Sequence, residues 1–362
     1  ITSAGGALFS YIPDQAYLVR MSDAARARLE AGGRAVWVGD YEPAYKLSPQ
    51  VDLSVSGRSS FTALLFPDAD VADVRTSLIG MGAAELVTSD NGINRILRFT
   101  LDHGLVPSAL AINALAWLEP SPKFELYNRD VQWNVQTGVL NSRRVWDQGI
   151  RGQGQIVSTT DSGINTDHNQ FRDPLVPIPT FGDYPTHRKV IAYKVGSLNP
   201  GITFGDHAGA SYHGTHTAGT IVGSDDPLST SLFDGIAKEG KMYFMDISGT
   251  TLANSVDPFP DLNDLFLPSY IGNAAGAARV SSHSWGSNAA GAYTLNSMQV
   301  DQFMWAHPDY FISISNGNAG GPLTVGSPAS AKNSVGAGGS RNSSTMTNIN
   351  LISASTSRGP RA

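Results

Sequence analysis

S-Y-H-G-T-H-T-A-G-T-I-V-G, residues Ser211 to Gly223, sets a histidine at the head of a run of small residues suited to a tightly packed helix. Histidine has an ordinary pKa of about 6.5 and so accepts and returns a proton near neutral pH, which makes His213 a candidate general base. Upstream, I-V-S-T-T-D-S-G is an apolar, β-branched run that ends on Asp161 and a glycine turn at Gly163, where a parallel strand delivers a carboxylate. Downstream, I-S-N-G-N-A-G closes another apolar run near Asn318. Open α/β sheets gather their ligands at the carboxyl ends of strands, so the three segments converge on one rim.

The chain of 362 residues is long enough for two domains. A hydrophobic content of 41% with 38 glycines and 15% charged residues describes a globular, turn-rich α/β protein. The net charge of −6, with no basic stripe, argues against a nucleic-acid partner. With no cysteine there are neither disulfides nor thiolate metal sites, and this leaves the compartment open. No run of about 18 apolar residues exists, so no membrane span is expected, and Ile1-Thr2-Ser3 lacks the basic-then-apolar start of a signal peptide.

Strand signals in the N-terminal part fall at residues 17–21, 34–38 and 61–66, with a helix at 23–30. Val71, Val74 and Leu78 share one helical face, and Asn91-Gly92 marks a hairpin between strands near 86–88 and 96–101. Pro107 suits the first turn of a helix reaching about Leu115, and 116–118 is a last strand. From residue 61 this is a β-α-β-β-α-β order, that of a ferredoxin-like α+β unit. A Pro-rich junction, Glu119-Pro120-Ser121-Pro122-Lys123, follows. Beyond it, strands at 155–160, 241–247, 278–282 and 310–315 alternate with helices at 215–222, 269–277 and 295–306, as in a parallel sheet covered on both faces.

Asp161, His213 and Asn318 in this order, with S-S-H-S-W-G at residues 281–286, resemble the subtilisin-like serine proteases, the subtilases, over roughly residues 128–362. The resemblance implies an α/β fold with a parallel sheet and helices on both faces, preceded by a ferredoxin-like prodomain over 1–127 that acts as an intramolecular inhibitor of a zymogen. It implies that Asp161 orients His213, that Asn318 donates to the oxyanion, and that Ser284, Trp285 and Gly286 form the substrate-binding strand for extended polypeptides. Phe124 and Tyr127 have the spacing of apolar residues preferred at and before a cleavage position, so processing is expected between Tyr127 and Asn128. The family further implies secretion and the possibility of structural calcium, with no cofactor required for the chemistry; no calcium ligands are named. One member of the motif set departs: G-T-S-M-A followed by proline occurs nowhere in the chain, while Ser357-Arg358-Gly359-Pro360 resembles the stretch preceding the nucleophile. The serine is therefore expected from a downstream segment.

Two other readings compete. Asp161, Asp167, His168, His213 and His216 have metal-ligating chemistry, but nothing has the H-E-x-x-H spacing of a zinc protease. A subtilase-like scaffold without chemistry, a pseudoprotease, has no physical need for Asp161, His213 and Asn318 together. His216, next along the helix, is expected to pack behind His213.

Overall fold

The structure is a computed structural model that describes residues 1–12, 15–33, 35–121, 125–126, 132–139, 142–206, 212–225, 233–249, 256–340 and 350–360. It divides into two compact units, Ile1–Ser121 and Pro122–Ala362.

In the first unit an antiparallel hairpin of β1 (Ala7–Ile12) and β2 (Ala16–Arg20) leads to α1 (Asp23–Ala31), which Ser22 caps by accepting the Ala25 amide. Then come β3 (Arg58–Leu65), α2 (Val71–Gly80), β4 (Ala84–Asp90), β5 (Arg95–Asp102), α3 (Val106–Leu110) and β6 (Leu115–Pro120). The four strands pair antiparallel in the order β4-β5-β3-β6, the ferredoxin-like arrangement. Asp70 starts α2 by accepting the amides of Ala72 and Asp73, and Asn91 closes the β4–β5 turn by accepting those of Ile93 and Asn94. Phe61, Leu78, Leu97 and Phe99 form the centre of the core.

Two expectations fail here. Residues 35–38 form no strand, and Val36 and Trp37 are exposed at 106% and 75%. Strand propensity without a partner edge leaves the backbone unpaired, and no described strand offers that edge. The helix begun near Pro107 stops at Leu110 because Leu115 is already in β6, paired with Leu65.

The second unit begins with β7 (Glu125–Leu126), α4 (Gln132–Gln136) and α5 (Arg144–Asp147). It continues through β8 (Ile156–Asp161), β9 (Gly182–Asp183), β10 (Val190–Val195), α6 (His213–Val222), β11 (Lys241–Asp246) and α7 (Leu262–Ile271). The last elements are β12 (Val280–His283), β13 (Trp285–Gly286), α8 (Leu295–Ala306), β14 (Phe311–Ser315) and β15 (Val335–Ala337). Seven strands form one sheet in the order β15-β14-β12-β8-β11-β10-β9, parallel except where β9 joins β10. Successive residues of β11 point to opposite faces. Met242 and Phe244 pack with Ala218 and Val222 of α6, whereas Tyr243 and Met245 share a cluster with Phe266 of α7 and Phe303 of α8. Helices thus cover both faces of the parallel sheet, the α/β architecture expected from the alternating pattern.

The helix expected at 269–277 lies about two turns earlier. Asp261 starts it by accepting the Asn263 amide, and Pro268 is carried in its interior, where a proline is seldom tolerated.

α6 packs on the turn after β8 with no intervening side chain. A Cβ added at Gly214 would lie 2.0 Å from the Gly163 carbonyl oxygen, and Gly163 itself takes φ +112. Backbone must therefore touch backbone here, which only glycine allows. Gly214→Ala is expected to destabilise the second unit by about 1–3 kcal/mol through this overlap, read as a lowered urea midpoint at unchanged m-value.

Candidate active site

β8 ends on Asp161, which is fully buried. A carboxylate removed from water needs compensating donors. His213 Nδ1 lies 2.9 Å from Oδ1 and 3.1 Å from Oδ2, the Ser162 amide donates to Oδ1 at 2.8 Å, and the Thr217 hydroxyl donates to Oδ2 at 2.9 Å. Carboxylate oxygens accept, so Nδ1 carries the imidazole proton and Nε2 presents a lone pair. Nε2 is buried and has no hydrogen-bond partner among the described residues. An imidazole held on one nitrogen and bare on the other is the arrangement of a general base.

Local structure explains why the pair meets. Tyr212 takes a left-handed backbone, φ 55, and turns the chain into α6 at His213. His213 and Thr217 are four apart and so share a helix face, which brings both to Asp161. Beside β8, Asp246 aligns with Asp161 in the parallel ladder at the end of β11. Burial pushes the Asp246 carboxyl up to about 6, against hydrogen bonds from Ser248 and Tyr193. The Tyr193 hydroxyl donates to Asp246 at 2.7 Å and accepts the amides of Ile164 and Gly205, each at 3.1 Å, which fixes the turn after Asp161.

Ser284, Trp285 and Gly286 follow β12 at the same rim. The Trp285 indole is fully buried and donates to Thr160 Oγ1 at 2.7 Å, so the ring is an interior anchor of this segment. The backbone of Trp285 and Gly286 pairs antiparallel with Leu126 and Glu125 of β7. Gly286 is needed for close approach: a Cβ there would meet the Ser327 carbonyl oxygen at 2.9 Å. Asn318 is exposed, in a loop after β14 whose flanks are tied down. Ser357 donates its amide to the Gly317 carbonyl and accepts the Ala319 amide on its hydroxyl, while the Gly320 amide donates to the Ser355 carbonyl. Asn316 is a scaffold residue, its amide on the Ala337 carbonyl and its carbonyl accepting the Gly326 amide. Tyr127 and Asn128 lie outside the described residues.

His216 does not pack behind His213. It is exposed on the outer side of α6, where with His168, Tyr212, Asp225 and Phe233 it lines a cavity of about 810 Å³. The five candidate ligands therefore split: Asp161 and His213 meet at the rim, His168 and His216 line this cavity, and Asp167 is exposed and joins neither. Among the described residues no group of three or more His, Asp or Glu side chains gathers to hold a metal ion.

Sequence reasoning missed Thr217, though its spacing of four from His213 was a readable signal. It also found no use for His283. That side chain is fully enclosed, with Nδ1 2.9 Å from Thr160 Oγ1 and Nε2 2.6 Å from Ser281 Oγ. Because the Trp285 N–H donates to Thr160 Oγ1, a chain Ser281–His283–Thr160–Trp285 ties β12 to β8 next to Asp161.

A profile for the subtilase family matches residues 152–362, and one described as a domain of unknown function matches residues 1–42. Among curated relatives, the serine protease/ABC transporter B family protein tagD of Dictyostelium discoideum is 28% identical across 91% of this chain. The protein tagA of the same description and organism is 28% identical across 87%. The chain spans 19% of the length of each. Among solved structures, the S393A mutant of the epidermin leader peptide processing serine protease from Staphylococcus aureus aligns with a TM-score of 0.51 at 13% identity. That alignment covers 83% of this chain and 73% of the other, a likeness of fold.

Burial pushes the His283 imidazole down to about 3. The folded protein holds it neutral while the unfolded chain takes up a proton below about 6.5, so its contribution is complete above that pH. It is lost as pH falls from there toward 3, at about 1.4 kcal/mol per pH unit. Asp246 acts with the opposite sign, favouring the fold below about 4 and losing that effect as pH rises to 6. His283→Asn leaves Asp246 in place, so urea titrations from pH 4 to 6.5 should show an acid limb shallower by about one proton than the parent's.

Proposed function

Because this chain belongs to the subtilase family, we propose that it is part of a serine endopeptidase precursor. In this reading His213 is the base, Asp161 its orienting carboxylate and Asn318 an oxyanion donor, with the nucleophilic serine supplied by sequence beyond residue 362. The observation that carries it is the buried, unpartnered Nε2 of His213 opposite an Nδ1 bound to Asp161. Nε2 takes the serine proton as Oγ attacks a peptide carbonyl, and Asp161 stabilises the imidazolium that forms. The Asn318 amide then donates to the developing oxyanion, and the imidazolium returns the proton to the leaving amine. Water, activated by the same nitrogen, hydrolyses the acyl-enzyme.

Residues 1–127 are read as a prodomain, and the β7 pairing supports that reading. Glu125 and Leu126 lie antiparallel on Trp285 and Gly286, as an extended peptide would when recognised by strand addition. Processing between Tyr127 and Asn128, with an inhibitory tail before cleavage, belongs to the same reading, as does secretion. Among the described residues no helix is long and apolar enough to cross a membrane.

A fluorophosphonate probe should label the full-length protein, and His213→Ala should abolish labelling and lower kcat by about four to six orders of magnitude. Failure of the parent protein to label, with its fold intact, would favour a scaffold without chemistry. Asn318→Leu is expected to lower kcat by about 10²–10³ with KM little changed. N-terminal sequencing of the mature protein should begin at Asn128; a start well away from it overturns the processing assignment.

A further inference from the structure

Tyr212, which precedes α6, offers the helix no side-chain cap. The first amides of a helix need acceptors, and here they are met from elsewhere. Asp206 Oδ2 accepts the Thr215 amide at 2.8 Å and the Thr215 hydroxyl at 2.7 Å, while Oδ1 accepts the Ser162 hydroxyl at 3.2 Å. The Ser162 oxygen in turn accepts the Gly214 amide at 3.1 Å. The Asn165 amide donates to the Thr215 hydroxyl oxygen at 2.9 Å, adding a second tie between the same segments. Ser162 directly follows Asp161, and Gly214 and Thr215 directly follow His213. One buried carboxylate therefore joins the two backbones that carry the pair.

We infer that Asp206 is a positioning residue for His213, holding the turn after Asp161 against the first turn of α6 so that Nδ1 stays on its carboxylate. The inference rests on the reading of His213 as the base. Asp206 is only 8% exposed and lies at a helix N-terminus, where a negative charge is favoured. Among the described residues Asp161 at the end of β8 and Asp246 at the end of β11 are acidic groups close enough to interact with it, and of these carboxylates it is Asp161 that touches the His213 imidazole. Asn at 206 can preserve the brace without the charge, since its oxygen still accepts from Thr215 and its NH2 donates to Ser162 Oγ. Ala removes both.

The test is NMR of the 362-residue chain with 15N-labelled histidine, read at the His213 Nδ1–H. In the parent chain this proton should resonate far downfield and exchange slowly. Asp206→Ala should move it upfield or broaden it away, and Asp206→Asn should keep it. An Ala variant whose Nδ1–H shift and exchange rate match the parent's overturns the proposal. Should that variant fail to fold, Ser162→Ala removes the strut while leaving Asp206 on Thr215, and the same two outcomes apply. In the full-length protein Asp206→Ala should lower kcat about 10- to 100-fold at unchanged KM, with partial recovery in Asp206→Asn. A full-length parent without peptidase activity would sink the reading of His213 as base, whereas the imidazole signal, measured without substrate, decides the positioning role by itself.

Discussion

The burial of Asp161 is the constraint on which the second unit is organised. A carboxylate with no exposed surface is tolerated only where its oxygens are saturated with donors. Those donors come from three places, the next residue in the chain, a histidine at the head of α6 and a threonine one turn further along it. To supply them, the strand must end at the rim, the helix must start there, and nothing larger than glycine can separate the two. The sheet order serves this arrangement, since β8 is central and receives β11 on one side and β12 on the other.

A second set of polar contacts does for the neighbouring strand what these do for β8. His283 and Thr160 anchor the Trp285 ring inward while its backbone pairs with β7. Backbone pairing of that kind is indifferent to side-chain identity. Asn318 shows the same economy: its neighbours are fixed by Ser355 and Ser357, and its own side chain is left exposed.

Much of this was legible from residue types in order. Strand ends at Asp161 and near Asn316, a helix opening near His213 and the β-α-β-β-α-β order of residues 58–120 follow from apolar runs and turn residues, which are local properties. What escaped was non-local. Val36 and Trp37 look like strand but have no described edge to join; the helix at 262–271 is a separate miss, since its start signal, the cap Asp261, is local but Pro268 in its interior argues against a helix there. The outward direction of His216 depends on which face of α6 meets the sheet, and the wiring of His283 on residues more than a hundred positions away. Trp285 reads as a cleft residue by its place in a motif; only packing reveals that its ring is interior.

The central place of β8 has a consequence during synthesis. Thr159 hydrogen-bonds the Ser282 carbonyl across a separation of 123 residues, so the strand bearing Asp161 is made long before the neighbour that completes one of its sides. At roughly 5–20 residues per second, the ribosome needs on the order of 6–25 s to bridge that gap. The four-stranded sheet of the first unit is already complete by then, its pairings lying within about sixty residues. Nascent β8, which ends on Ser158, Thr159, Thr160 and Asp161, thus passes that interval with at least one edge unpaired, when a growing chain is most exposed to aggregation.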